Sequence, residues 1–302
     1  MLDVAQSLGA RLGSADAILA CAVLLIITSL CYQVLRLAGR APNGKWVHRY
    51  SRVAWQVGGL LGLERAYEFT RGRIPHETDI ALLNAYRLLD LEWKHGLFFE
   101  SRVERFFLQF HALMTAIDLF YILGHVFVTL GVLIWIMTKR NQHYARVRNL
   151  LMLTTAVALA VYYFFPTAPP RMLGNYGFVD MMQMHHLAQA GGEQPGSYSY
   201  NPYAAMPSLH VAYALVVTFA LLLSERRFLV RLLAVSYPLV MAAVVIITGN
   251  HWLLDVIAAF VLVVLGAAIL AAVSRIPALL AGQRLPLYRW VTLQKAAAER
   301  SS

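Results

Sequence analysis

The chain has 302 residues, of which 59% are hydrophobic and only 14% charged. A soluble domain carries nearer a quarter charged residues, so these figures exclude a soluble, disordered, collagenous or coiled-coil protein. Two cysteines leave no disulfide framework, and the net charge of +10 sits in basic residues gathered between apolar runs, which suits lipid headgroups and gives nucleic acid little weight.

The remaining class is an all-α polytopic membrane protein with a six-helix transmembrane core and additional interfacial helices; the mean hydropathy of +0.57 agrees. The first apolar run, Ala17–Leu37, holds Cys21 and Cys31 as small hydrophobes. It is too long for a signal-peptide core and lacks a small-residue cleavage site, so it is expected to be retained as a span. Arg36, Arg40, Lys45, Arg49 and Arg52 place its end in the cytoplasm. The next stretch, Val53–Thr70, carries Glu64, Arg65 and Glu68. Two readings stand: it crosses with its charges turned to a wet cavity, or it lies along the interface. Residues 76–107 mix charged and apolar side chains at helical spacing, which predicts interfacial amphipathic helices.

Five more apolar runs follow: Leu113–Met137, Leu150–Phe165, Pro207–Leu223, Leu229–Thr248 and His251–Val273. The expected organisation is an N-terminal region over 1–111, a catalytic core over 112–275 and a basic cytoplasmic tail over 276–302. Lys139, Arg140, Arg146 and Arg148, and then Arg226, Arg227 and Arg231, put their loops in the cytoplasm with the tail. The 41 residues from Pro166 to Met206 and the turn at Gly249–Asn250 then share the opposite, non-cytoplasmic face. That long segment reads either as a lid or as a plain connector.

Three motifs meet on this face: FPTAPPR with Arg171, NPYAAMPSLH with Ser208 and His210, and TGNHWLLD with His251 and Asp255. His251 and Asp255 are four apart and would share one face of a helix. The carboxylate would fix one ring tautomer and leave the other nitrogen as nucleophile or base. A structural polar pair or two metal ligands are the alternatives. Pro207 fits the first turn of a helix, which would leave the amides of Ser208, Leu209 and His210 as an anion site, with the Ser208 hydroxyl as a further donor. Ordinary helix initiation is the alternative. Arg171, the one Arg or Lys in its loop, suits a clamp on phosphate oxygens or, equally, a lipid headgroup contact. Inside the Leu113–Met137 run, Asp118, Tyr121 and His125 fall on one helical face and read as pocket lining or as a buried polar contact between helices.

AMPSLH and GNHWLLD resemble the second and third signature motifs of the type 2 phosphatidic acid phosphatase superfamily. With FPTAPPR added, the pattern is most similar to the branch containing inositol phosphorylceramide synthase, and AYEFTRG upstream is similar too. The resemblance implies that His251 forms a phosphohistidine, that Asp255 orients it, and that His210 protonates the leaving oxygen. It implies that Arg171 and Ser208 hold the phosphate, with neither metal nor cofactor. The expected partners are a phospholipid or lipid-phosphate substrate, a polyol acceptor such as inositol, and the bilayer, with the site on the outer face of the plasma membrane. Two departures stand out. Val244 and Val245 occupy the positions of a signature Ser-Arg pair, and Phe164 and Met172 those of a signature Lys and Pro. Arg65, Arg71 or Arg73 are candidates to replace the missing cations, or else form a solvated interfacial face. Rival functions are a polyprenyl diphosphate phosphatase and, outside enzymes, a transporter; the lack of a strong inverted repeat disfavours the transporter.

Overall fold

The computed structural model describes residues 2–40, 42, 44–71, 78–180 and 202–298. The side chains of 2–18, 45, 49, 52, 60, 63–71 and 276–298 fall outside this description, so the suggested roles of Arg65, Arg71 and Arg73 lie outside the described residues. Ten α-helices and no strand occur among the described residues.

Helices α1 (Leu2–Leu37) and α2 (Lys45–Arg71) form an antiparallel hairpin. Ser29 donates to the Ser51 carbonyl at 2.8 Å, and farther along Gly58 packs on Ala22 and Ile26, so the two chains run in opposite directions. A Cβ at Gly58 would lie 2.9 Å from Ile26 Cγ1. Ala22, Ser29, Ser51 and Ala54 are buried along the same seam. Small residues let helix backbones approach where apolar side chains gain nothing by leaving lipid. The stretch of α2 from Ser51 to Gly58 therefore lies beside the apolar part of α1, at the same depth.

Helices α3 (Thr78–Lys94) and α4 (Glu100–Leu108) are amphipathic, as the sequence predicts. Helix α3 buries Ala81, Ala85, Leu88 and Leu89, a stripe at three- and four-residue spacing, against Trp252, Phe178 and Leu173. The buried side of α4 is polar instead, formed by Glu100, Ser101 and Glu104.

The next span is α5 (His111–Leu119), a single π turn (Phe120–Gly124) and α6 (His125–Lys139) in one continuous rod. Helices α7 (Asn141–Phe164), α8 (Leu209–Ser224), α9 (Phe228–Ile247) and α10 (Leu253–Ala298) complete the bundle. Five helices are long and apolar enough to cross a membrane: Leu19–Leu37, His111–Lys139, Asn141–Phe164, Phe228–Ile247 and Leu253–Arg275. The expected span at Pro207–Leu223 forms an apolar helix shorter than the five above. Helix α8 has 16 residues, about 24 Å of rise. It is apolar all round because it packs against α6, α7, α9 and α10, burying Val211, Ala212, Ala214, Val216, Val217 and Ala220. Lipid-length side chains such as Leu229, Leu233, Leu239, Phe260 and Ile269 are exposed on the outside of the bundle.

The two ends of the bundle differ. At one end Arg140, between α6 and α7, donates to Glu225 Oε1 at 2.9 Å and ties that turn to the α8–α9 loop. All three motif loops gather at the other end. There the described part of the long connector is strapped down. The Thr167 amide donates to the Tyr203 carbonyl at 2.8 Å, and Thr167 pairs with Ala204 in an isolated parallel bridge. The Ala168 amide donates to the Ala81 carbonyl at 3.1 Å, and Trp252 Nε1 donates to the Ala168 carbonyl at 3.0 Å. This half of the segment is a fixed wall; residues 181–201 lie outside the described residues.

Candidate active site

Helix α9 ends because Gly249 takes a left-handed conformation, φ +61°. The amides of Asn250 and His251 turn back to the Val245 carbonyl at 3.1 and 3.2 Å. A Cβ at Gly249 would lie 2.8 Å from Glu104 Oε1 and 3.4 Å from Arg171 Cβ, so close approach and backbone angle both require glycine. His251 follows this turn and precedes α10, while Asp255 sits in the first turn of α10. The expectation that both ride one helix is corrected: they meet across its start. Asp255 is fully buried, and its Oδ2 accepts the Trp252 amide at 2.9 Å, which caps the helix.

This arrangement decides the tautomer of His251. Its Nδ1 lies 2.8 Å from the Ala205 carbonyl and 3.3 Å from Asp255 Oδ2. A carbonyl oxygen only accepts, so Nδ1 carries the proton and Nε2 holds a lone pair. The ring is 4% exposed, which leaves a narrow approach to it.

Ser208 is placed otherwise than expected. It is the N-cap of α8, not its first turn. Its hydroxyl accepts the Val211 amide at 3.4 Å, and its own amide donates to the Asp255 carbonyl at 3.2 Å. The anion site expected from three free amides is therefore reduced, because serine competes better as a cap than as a helix interior residue. The link from Ser208 to Asp255 instead joins the two motifs directly. The hydroxyl keeps its hydrogen as a donor.

Arg171 is 5% exposed and held at three points. Its amide donates to the Gly249 carbonyl at 2.8 Å, Nε to Asn250 Oδ1 at 2.9 Å and Nη1 to Asp180 Oδ2 at 2.8 Å. Asp180, which sequence reasoning missed, fixes the guanidinium, whose Nε bonds the residue next to His251 in the chain.

His210 stands at the start of α8, facing His251 with ring centroids 6.0 Å apart. Tyr121 stacks on its other side at 4.1 Å and 19°, and His125 touches it at 4.2 Å. Two of the three intramembrane polar residues thus join the site, and Asp118 is buried one turn before Tyr121. Where the family pattern expects cations, Val244 and Val245 are buried apolar packing and Phe164 is 81% exposed on the bundle surface.

Three further acids surround the site. Glu92, Glu100 and Glu104 are fully buried. Leu253 donates its amide to Glu100 Oε1 at 3.0 Å, and Leu254 to Glu92 Oε1 at 2.9 Å. With Trp252 on Asp255, three successive amides at the start of α10 each end on a carboxylate, each satisfying a helix-terminal donor. Burial first, and then the negative charge of Glu100, push Glu92 up to about 9, so it is protonated at neutral pH. Burial likewise pushes Glu104 up to about 7. A signal existed in the sequence, since Glu100 and Glu104 share a face at i,i+4, but such a pair ordinarily faces water. Among the described residues no group of three His, Cys, Asp or Glu side chains is placed to hold a metal ion.

A family model described as the PAP2 superfamily matches residues 86–269. This stretch begins within α3 and contains every site residue placed above. No curated protein and no solved structure matches the chain.

Proposed function

The chain belongs to the PAP2 superfamily, and from that we propose that it is a membrane-embedded lipid phosphatase or phosphotransferase working through a phosphohistidine. One observation carries the reading: the His251 proton is pinned on Nδ1 by the Ala205 carbonyl and Asp255, so Nε2 presents its lone pair beside His210.

In the first step Nε2 attacks phosphorus. The bond from phosphorus to the lipid oxygen breaks, and protonated His210 gives its proton to that oxygen. Asp255 stabilises the positive charge that develops on the His251 ring. Arg171 and the Ser208 hydroxyl are the donors for the phosphoryl oxygens. In the second step neutral His210 takes the proton from water or from an alcohol. That oxygen attacks phosphorus, the N–P bond breaks, and both histidines return to their starting forms. Water gives hydrolysis; a polyol such as inositol takes the phosphoryl group instead and leaves as a phospho-polyol. No metal enters either step. The proposed location is the plasma membrane, with the motif end of the bundle on the non-cytoplasmic side, as the basic loops at the opposite end suggest.

The test is turnover by purified protein against a panel of phospholipids, lipid phosphates and polyprenyl diphosphates. Products are read by mass spectrometry with and without inositol, and with and without EDTA. Release of phosphate or a phospho-polyol, lost in His251→Ala and kept in EDTA, is expected. Turnover of polyprenyl diphosphate alone would move the substrate to the rival class. No turnover, or activity abolished by EDTA and restored by zinc, would contradict the mechanism.

A further inference from the structure

The rod formed by α5, the π turn and α6 carries a break in helix regularity inside a membrane span that faces the site. A π turn costs helix stability and persists where something depends on it. Here it is built into the sequence. A Cβ at Gly124 would collide with the Phe120 ring, so glycine lets that ring fold back over the turn. The turn presents two side chains, Tyr121 and His125, to a single target. His125 Nδ1 lies 2.8 Å from the Tyr121 carbonyl, a backbone acceptor that the widened turn makes available to a side chain. The imidazole of His125 is thereby fixed in rotation, with its proton on Nδ1.

Both rings close on His210. Tyr121 lies nearly parallel to it, 4.1 Å between centroids and 19° between planes. His125 meets it at 4.2 Å and 56°. The His251 ring lies 6.0 Å from that of His210 between centroids. A histidine at the start of a helix has two free torsions, and rotation about either would carry its nitrogens away from the leaving oxygen. Ordinary apolar packing would block rotation equally well, and the neighbouring positions supply Leu and Phe in plenty. A tyrosine ring face adds attraction for an imidazolium, the form His210 must hold before the first step. A second imidazole, locked by its own hydrogen bond, adds a polar edge.

We propose that Tyr121 and His125, displayed by the Phe120–Gly124 π turn, are positioning residues that hold His210 oriented and protonated for proton transfer to the leaving oxygen. This rests on the assignment of His210 as the general acid. Neither residue touches phosphorus. Their effect passes through His210 and has its signature: it scales with how much the leaving group needs a proton.

The experiment compares two substrates, an alkyl lipid phosphate and a nitrophenyl phosphate ester whose leaving group departs without help. General-acid catalysis contributes about 10²–10⁴ in rate. Tyr121→Leu and His125→Leu are expected to lose roughly 10–100-fold in kcat on the alkyl substrate, a part of that factor, with KM changed little. On the nitrophenyl ester the loss should shrink several-fold or more. Tyr121→Phe, which keeps the ring, should recover most of the loss seen with leucine. In a His210→Ala background neither leucine variant should lower kcat further. Gly124→Ala, which leaves both histidine side chains in place and presses on the Phe120 ring, should mimic His125→Leu in its substrate dependence. Equal losses on both substrates, or additive losses in the His210→Ala background, would overturn the clamp while leaving His210 in place. If His210→Ala itself loses equally on both substrates, the general-acid assignment fails and the clamp fails with it.

Discussion

Replacing Glu92 with glutamine is expected to stabilise the folded protein, and by more the higher the pH. Glu92 is fully buried in α3, and its Oε1 accepts the Leu254 amide at the start of α10. Glutamine keeps that oxygen and the shape. Burial and the charge of Glu100 lift the acid from 4.5 to about 9. Between these values the native state holds a proton that the unfolded chain has released. The native state therefore binds more protons, and stability falls as pH rises through this window. At about 1.4 kcal/mol per decade of proton affinity, the wild-type chain loses up to about 5 kcal/mol through this group by pH 8. Part of that belongs jointly to Glu100, so the loss read through Glu92 alone is smaller than this ceiling, on the order of a few degrees in Tm. Glutamine has no proton to lose and escapes the decline. The assay is Tm in detergent at pH 5, 6, 7 and 8 for wild type, Glu92→Gln and Glu92→Ala. The gap between glutamine and wild type should widen steadily with pH. Alanine leaves the Leu254 amide unpaired, which costs about 1–3 kcal/mol at every pH. A gap that is constant, or that narrows as pH rises, would refute a protonated Glu92.

Asp255→Asn keeps an oxygen for the Trp252 amide but removes the charge behind His251, so kcat should fall by about 10²–10⁴ with Tm changed little. Gly249→Ala should lower stability by roughly 1–3 kcal/mol in thermal unfolding and reduce activity, because alanine is strained at φ +61° and its Cβ would press on Glu104. In a background with Cys21 and Cys31 replaced, a cysteine at Tyr176 should react with an impermeant maleimide on intact cells, and one at Arg226 only after permeabilisation; the reverse pattern would invert the proposed orientation.

The apolar spans and the convergence of the three motifs were legible because each depends on local chemistry. Long apolar runs report membrane helices directly. His251 with Asp255, and Ser208 with His210, each lie within five residues of chain, so spacing alone brings them near. Helix α8 was legible to within two residues at each end, and its all-round apolar character reflects burial among four other helices. Ser208 was misplaced by one structural step, from first turn to cap, since Pro207 and Ser208 each suit either position. The acids were illegible for a different reason. Glu92, Glu100 and Glu104 sit in amphipathic helices whose charged residues ordinarily face water. The partners of Glu100 and Glu92, the amides of Leu253 and Leu254, lie 153 and 162 residues away in sequence, and that of Glu104, the Val179 amide, lies 75 away. No periodicity marks an amide that waits at the start of a distant helix. Asp180 was missed likewise, because nothing in the connector singles out the acid that folds back on Arg171.

The central claim is that His251 Nε2 becomes phosphorylated. Purified protein is mixed with ³²P-labelled lipid phosphate, quenched within milliseconds in alkali and analysed by electrophoresis and peptide mass spectrometry. The account predicts label on the chain that is stable to alkali and lost in acid, that maps to His251, and that accumulates in His210→Ala, where the second step lacks its base. Label absent from His251 under single-turnover conditions that still yield product, or label retained in His251→Ala, would contradict it.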